Sequence, residues 1–373
     1  MAQEALTPLT FSAPISAHGT SPDTGYPLQV VYFGTPPFAA RILDDLSTDQ
    51  QVRILAVVTQ PDRPCGRGRT CKPSAVKEAA LKTGYPVLQP ETLKDPAVVA
   101  ALEAFQADFF IVAAYGLIFP ETLLNLPIHG CLNVHASLLP RYRGASPIQA
   151  ALLAGDPATG ITIMRMAKGM DTGPILLQRA MGIDINDTAQ TLHDNLAAQG
   201  GRLLLETLAR HRAGTLVALE QDHSLATYAP RLTKDMGLID WNQPARVVHD
   251  HIRAMHPWPG AYFFLPGENQ TKRKVAVHPG QIGEPLASKS AVDAPQDAGK
   301  PEPGTFIDMH GDMLAIACRD KAYLVRHFHP SDAKRMDAQA FRCGYLRQFC
   351  PGDRLCLGLN EPDGSDGPPP EES

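Results

Sequence analysis

Asn133 and His135 stand two residues apart in the run Cys131-Leu-Asn-Val-His135, which otherwise reads as a buried strand. Alternation along a strand puts both polar side chains on one face. Two polar groups at the carboxyl end of a buried strand cost free energy unless they find partners. A lone histidine at such a place is more often a satisfied structural group than a working one. Here the strand is followed by Ser137-Leu-Leu-Pro-Arg-Tyr-Arg-Gly144, a loop with proline, glycine and two arginines. Loops after such strands are where α/β proteins build their sites. Downstream, Lys168-Gly-Met-Asp-Thr-Gly-Pro174 sets Asp171 in a glycine-flanked loop after another apolar run. A carboxylate brought to His135 would fix its tautomer and hold a proton on the ring, which is the chemistry of a proton-transferring pair. Arg141 and Arg143 read equally well as partners of an anionic group or as solvated surface.

The elements that must position these residues are legible as periodic runs. Leu28 to Phe33 and Val52 to Thr59 are apolar and rich in β-branched residues, and the segment between them has its apolar residues at helical spacing. The alternation continues through a helix near Ser74–Lys82, strands at Asp108–Ala114 and Cys131–His135, short helices near Glu121 and Ile148–Ala154, and a strand at Ile161–Met166. A long helix then ends near residue 212. Such a pattern predicts a parallel, doubly wound α/β sheet. The first strand-to-helix turn, Phe33-Gly-Thr-Pro-Pro-Phe38, lacks the second and third glycines of a dinucleotide fingerprint, and no P-loop pattern occurs. From Tyr228 the texture changes to short strands broken by glycine and proline, which predicts a second, smaller β-rich domain. The expected division is a disordered tail at 1–27, a catalytic domain at 28–212, a linker at 213–230, a second domain at 231–357 with an insertion at about 284–304, and a disordered acidic tail at 358–373.

Composition sets the outer limits. In 373 residues, 44% are hydrophobic and 20% charged, with no apolar run of membrane-spanning length, so neither a disordered chain nor a membrane-spanning one fits. The N-terminus has no basic start and no long apolar stretch, so a cytoplasmic address is expected. The formal charge is −5, but five acids and no Lys or Arg lie beyond residue 358, so the preceding chain is formally neutral and can carry a basic patch. Seven cysteines without a C-x-x-C pair read as free thiols in a reducing compartment. Zinc at Cys343, Cys350 and Cys356 lacks a fourth ligand at finger-like spacing, and no metal is expected.

Asn133-Val-His-Ala-Ser-Leu-Leu-Pro-Arg-Tyr-Arg-Gly-Ala-Ser-Pro147, followed by Asp171-Thr-Gly, resembles the signature of the folate-dependent formyltransferases. Ordered matches run along nearly the whole chain: Phe33-Gly-Thr-Pro, Gln60 to Arg69, Ala114-Tyr-Gly-Leu, Tyr228 to Lys234, Ile239-Asp-Trp, Pro257-Trp-Pro-Gly and Pro351-Gly-Asp-Arg. Within the family they are similar to the branch that formylates methionyl-tRNA. The resemblance implies a Rossmann-like catalytic domain joined to an OB-like barrel, with 10-formyltetrahydrofolate as co-substrate and initiator methionyl-tRNA as partner. It implies Asn133, His135 and Asp171 as the catalytic group, acting on a tetrahedral oxyanion and its proton transfers. It also implies that the loop Ser137, Leu138, Leu139, Pro140 meets the folate.

The segment Asp62 to Lys77 holds Arg63, Arg67, Arg69, Lys72 and Lys77 against one acid, and its glycines and prolines should keep it off regular structure. A short basic loop is usually only solvated. In this family it matches the insertion that enters the tRNA acceptor arm, which implies tRNA contacts for Arg63, Arg67, Arg69 and Lys72; Thr70-Cys71 departs from the basic or apolar pair usual there. Between residues 231 and 274, Arg231, Lys234, Arg246, Arg253, Lys272, Arg273 and Lys274 face four acids and suggest a basic face for nucleic acid. Trp241 and Trp258 are expected to be packing residues. A formyltransferase acting on a small amine, and an RNA-binding protein with a relict site, are the competing readings. A monomer is expected.

Overall fold

From Leu28 onward, buried β-branched and aromatic strands alternate with helices as far as Arg212. The computed structural model describes residues 26–65, 70–266, 272–284 and 301–355. β1 (Leu28–Gly34) leads into α1 (Pro37–Ser47), which starts on a proline and buries Phe38, Ala39, Ile42, Leu43 and Leu46 on one stripe. β2 (Val52–Val58) follows, then a small pair, β3 (Arg63–Cys65) and β4 (Thr70–Lys72). α2 (Ala75–Thr83) is capped at its start by the Ser74 hydroxyl, which accepts from the Lys77 amide, and ends on Gly84 at φ 77°. Then come β5 (Val87–Leu88), α3 (Pro96–Glu103), β6 (Phe109–Ala113), α4 (Glu121–Leu124), β7 (Cys131–His135), β8 (Arg143–Gly144), α5 (Pro147–Leu153), β9 (Ala158–Arg165), β10 (Ile175–Gly182) and α6 (Ala189–Arg212).

Seven of these strands form one sheet in the order β10-β9-β7-β6-β1-β2-β5. The run from β5 to β7 is parallel and doubly wound, starting at β1 and growing first one way and then the other. Phe33, Phe110, Tyr115 and Phe119 pack against one another beside it, with ring centroids 5.0–5.5 Å from Phe33. One expectation is corrected. β9, read as another parallel strand, runs antiparallel to β7, pairing Asn133 with Met164 and His135 with Thr162. The segment 136–157 leaves the carboxyl end of β7 and re-enters at that same end, so no crossover restores the direction.

β11 (Tyr228–Ala229) and α7 (Ala245–Ala254) precede an antiparallel region. It contains β12 (Ala261–Pro266), β13 (Lys272–Val277), β14 (Gln281–Ile282), β15 (Phe306–His310), β16 (Met313–Ala317), β17 (Ala322–Val325), β18 (His327–Pro330) and β19 (Met336–Asp337), closed by α8 (Ala338–Tyr345). These strands form two four-stranded sheets, β12-β13-β18-β19 and β14-β17-β16-β15. The second region is therefore β-rich and separate from the parallel sheet.

By packing, the described residues divide into two compact units. One comprises 26–135, 161–179 and 197–223; the other comprises 136–160, 180–196 and 224 onward. Within the second unit α5 packs on α7, and Tyr142, Ala151 and Ala229 share a small core. The tails at 1–27 and 358–373 lie outside the described residues apart from Tyr26 and Pro27, as does the insertion apart from Glu284 and residues 301–304.

Two side chains in the second unit depart from expectation. Trp241 is buried against Phe263 and Tyr323, but Trp258 is 53% exposed, because the turn Pro257–Gly260 holds it between two prolines. Arg253, counted on a basic face, is 1% exposed and spends its guanidinium on Asp250 Oδ1 and the carbonyls of Asp184 and Asp187. Arg246 and Arg273 are also paired, with Asp250 and Asp332.

Candidate active site

Asn133, His135 and Asp171 come together in the first unit. β7 sets the first two on one face by alternation, and its pairing with β9 fixes the register that holds them there. The Asp171 carboxylate spans both partners with different oxygens. Asn133 Nδ2 donates to Oδ1 at 3.3 Å, and Oδ2 lies 3.7 Å from His135 Nδ1. The second distance is that of an ion pair rather than of a hydrogen bond. His135 is 6% exposed, so the pair lies largely out of water.

The loop after β9 bends back to bring Asp171 over β7. The Arg165 amide donates to the Pro174 carbonyl, and the Thr172 hydroxyl donates to the Lys168 carbonyl. Asp171 itself sits in the left-handed region at φ 52°. Gly173 explains the glycine of the Asp-Thr-Gly motif: a Cβ there would stand 1.9 Å from the Arg165 carbonyl oxygen. Thr162, opposite His135, is buried and accepts a hydrogen bond from Gln178. Cys131, in the same strand, is a buried thiol pushed up to about 12 by loss of solvent, so it is no nucleophile at neutral pH.

Gln221 is a contributor that the motifs did not announce. Its side-chain amide donates to the carbonyls of Asp171 and Gly173. Nothing in the local pattern Glu220-Gln-Asp222 marks it. Other contacts tie the carboxyl ends of β1, β2 and β6 together, with Thr35 Oγ1 and Gln60 Nε2 both donating to the Tyr115 carbonyl.

The loop 137–140 belongs to the second unit. Ser137 is buried and donates from Oγ to the Arg141 carbonyl at 2.7 Å, and Leu139 is buried too, which leaves Leu138, Pro140 and backbone as the loop's half-exposed parts. Arg141 is engaged by Asp156 at 3.2 Å and donates to the Tyr142 hydroxyl, whereas Arg143 is buried.

Of the basic segment, Arg67 and Arg69 lie outside the described residues. Arg63 and Lys72 are exposed and face each other across the antiparallel β3–β4 hairpin. The flanks are therefore regular, contrary to expectation, since a two-stranded ribbon can carry Pro64 where no donor is demanded. Lys77 is bound to Asp62 at 2.6 Å. That bond and one from Gln89 hold the Asp62 carboxyl below its ordinary range and anchor the hairpin's root. Among the described residues no three His, Cys, Asp or Glu side chains gather as a metal would require.

The sheet is of the doubly wound kind, and two family models match the chain: "Formyl transferase" over residues 28–208 and "Formyl transferase, C-terminal domain" over residues 231–346. The chain belongs to the formyl transferase family. It is similar to the methionyl-tRNA formyltransferase of Nitratidesulfovibrio vulgaris, with 50% identity over 335 residues, covering 89% of this chain and 98% of that one. The methionyl-tRNA formyltransferase of Stutzerimonas stutzeri is 43% identical over 89% of this chain and 99% of its own length. In fold, the chain resembles a HypX from Aquifex aeolicus solved with tetrahydrofolic acid (TM-score 0.57, 14% identity, 85% of this chain and 47% of that one). It also resembles the sugar 3N-formyl transferase WlaRD (TM-score 0.53, 18% identity, 83% and 100%).

Proposed function

We propose that this chain transfers the formyl group of 10-formyltetrahydrofolate to the α-amino group of methionine esterified to initiator tRNA. The observation that carries the reading is the convergence of Asn133 and His135 on separate oxygens of Asp171, in a chain half identical to a methionyl-tRNA formyltransferase. The folate supplies the formyl carbon. The loop Ser137–Pro140 would hold it through backbone and the half-exposed Leu138 and Pro140.

The amine forms a bond to the formyl carbon, and the carbonyl oxygen becomes an oxyanion. Asn133, through its carboxamide, and His135, through a ring proton, donate to that oxygen; each such donor supplies about 3–4 kcal/mol of barrier lowering. Asp171 supports the positive charge on His135 from the Nδ1 side. It also relays the proton lost by the amine, through water, and the tetrahydrofolate nitrogen is protonated as its bond to the formyl carbon breaks. The bonds balance: one carbon–nitrogen bond forms, one breaks, and one proton moves between the two nitrogens.

The catalytic role falls to 28–212 and the handling of tRNA to 231–357, together with Arg63, Arg67, Arg69 and Lys72 of the basic segment. No helix among the described residues is long and apolar enough to cross a membrane, and a cytoplasmic enzyme meets its charged tRNA directly. The test is labelled formyl transfer from 10-formyltetrahydrofolate to charged initiator tRNA, charged elongator tRNA and free methionine, side by side. Strong preference for the first is expected; transfer only to small amines would refute the tRNA assignment.

A further inference from the structure

Gln221 makes contacts that a merely space-filling residue would not. It is 5% exposed, and its Nε2 donates to the carbonyl oxygens of Asp171 at 2.8 Å and Gly173 at 2.6 Å. One amide nitrogen carries two hydrogens, so both carbonyls are served at once. These carbonyls bracket Thr172 in the turn that presents the Asp171 carboxylate. The turn also lies close against Arg165, where a Cβ at Gly173 would meet the carbonyl oxygen at 1.9 Å. Asp171 holds a left-handed backbone, φ 52°, a conformation that aspartate tolerates better than most residues other than glycine. The turn is thus gripped between the end of β9 and a single side chain 50 residues further along the chain than Asp171.

We infer that Gln221 is a positioning residue for formyl transfer, which holds the Asp171 carboxylate in reach of His135 and Asn133. This rests on the assignment of Asp171 given above. Removing the amide takes both of its donated hydrogen bonds away from the turn, so the carboxylate is less firmly placed, while Gln221 itself is buried and presents little surface to either substrate. Small misplacements at a reacting centre act on turnover rather than on binding.

The experiment compares Gln221→Leu, Gln221→Glu and Asp171→Asn in the full chain, measuring kcat, both KM values, melting temperature and the pH dependence of kcat. Gln221→Leu is expected to lose about tenfold or more in kcat, with each KM within about twofold of wild type. Gln221→Glu should lose as much at neutral pH, where a carboxylate faces two carbonyl oxygens, and should recover relative to Gln221→Leu as acid protonates it and restores one donor. If Gln221→Leu does not fold, the acid recovery of Gln221→Glu measured relative to the wild-type pH profile carries the test alone. A wild-type kcat in Gln221→Leu, a loss confined to KM, or no acid recovery in Gln221→Glu would overturn the inference. A wild-type kcat in Asp171→Asn would instead overturn the assignment of the site, so the two failures are told apart.

Discussion

At the scale of single residues, the candidate site is a carboxylate shared by a carboxamide and an imidazole, and its members differ in how they tolerate change. His135→Ala and Asp171→Ala are each expected to lower kcat at least a hundredfold while tRNA affinity stays within a few-fold, because in the proposed mechanism both act on charge that develops only in the transition state. Steady-state kinetics with a separate tRNA-binding assay check this, and a normal rate in either variant would remove the assignment. Gly173→Ala is expected to cost about 1–3 kcal/mol of stability, since a Cβ 1.9 Å from the Arg165 carbonyl forces the turn to move. Chemical denaturation measures it. The three polar residues were legible in the sequence because each sits in a short local pattern: a strand alternation for Asn133 and His135, a glycine-flanked loop for Asp171. Gln221 was not, since its role is set by a tertiary approach that leaves no periodic trace. Trp258 failed for the opposite reason. Its apolar neighbours suggested packing, but two flanking prolines hold it outward.

At the scale of elements, existence was easier to read than direction. The period-two pattern announced Ile161–Met166 as a strand, but nothing in that pattern says whether the chain enters from the same end of the sheet or the other. The β3–β4 hairpin was read as irregular because glycine and proline dominate the segment, while pairing between its flanks satisfies the backbone. If Arg67 of that segment meets a tRNA phosphate, Arg67→Ala should reduce the magnitude of the salt-dependence slope of tRNA binding by roughly one unit. Titrations across a salt series decide it; equal slopes would return the segment to ordinary surface.

The antiparallel region carries its own pH sensitivity. His278, after β13, is held down to about 4 from the usual 6.5 by burial first and then by Arg335, His256, His327 and His329. Its ring lies 5.6 Å from His256 and 6.4 Å from His327, centroid to centroid. Because the folded state resists protonation more than the unfolded chain does, the stabilisation is complete above about 6.5 and is lost as pH falls toward about 4. Melting temperature should therefore fall across that window, and more gently in His278→Asn.

At the scale of the whole molecule, 89% of this chain accounts for 98% of the Nitratidesulfovibrio vulgaris relative, and the family models begin at residue 28 and end at residue 346. A chain lacking 1–26 and 359–373 is accordingly expected to keep its melting temperature and its formylation rate almost unchanged, which scanning calorimetry and the transfer assay check. The change of texture near Tyr228 was readable from turn residues, but the packing of 136–160 and 180–196 with later residues was not, because it depends on α5 meeting α7. This interleaving bears on how the enzyme can be divided. A gene split anywhere between codons 212 and 230 would encode a first product in which α5 lacks α7, and a split before codon 221 would also strand Gln221 on the other product. Neither half-gene would specify a self-sufficient protein. Activity from such a split should return only when both products are made in the same cell and reassemble.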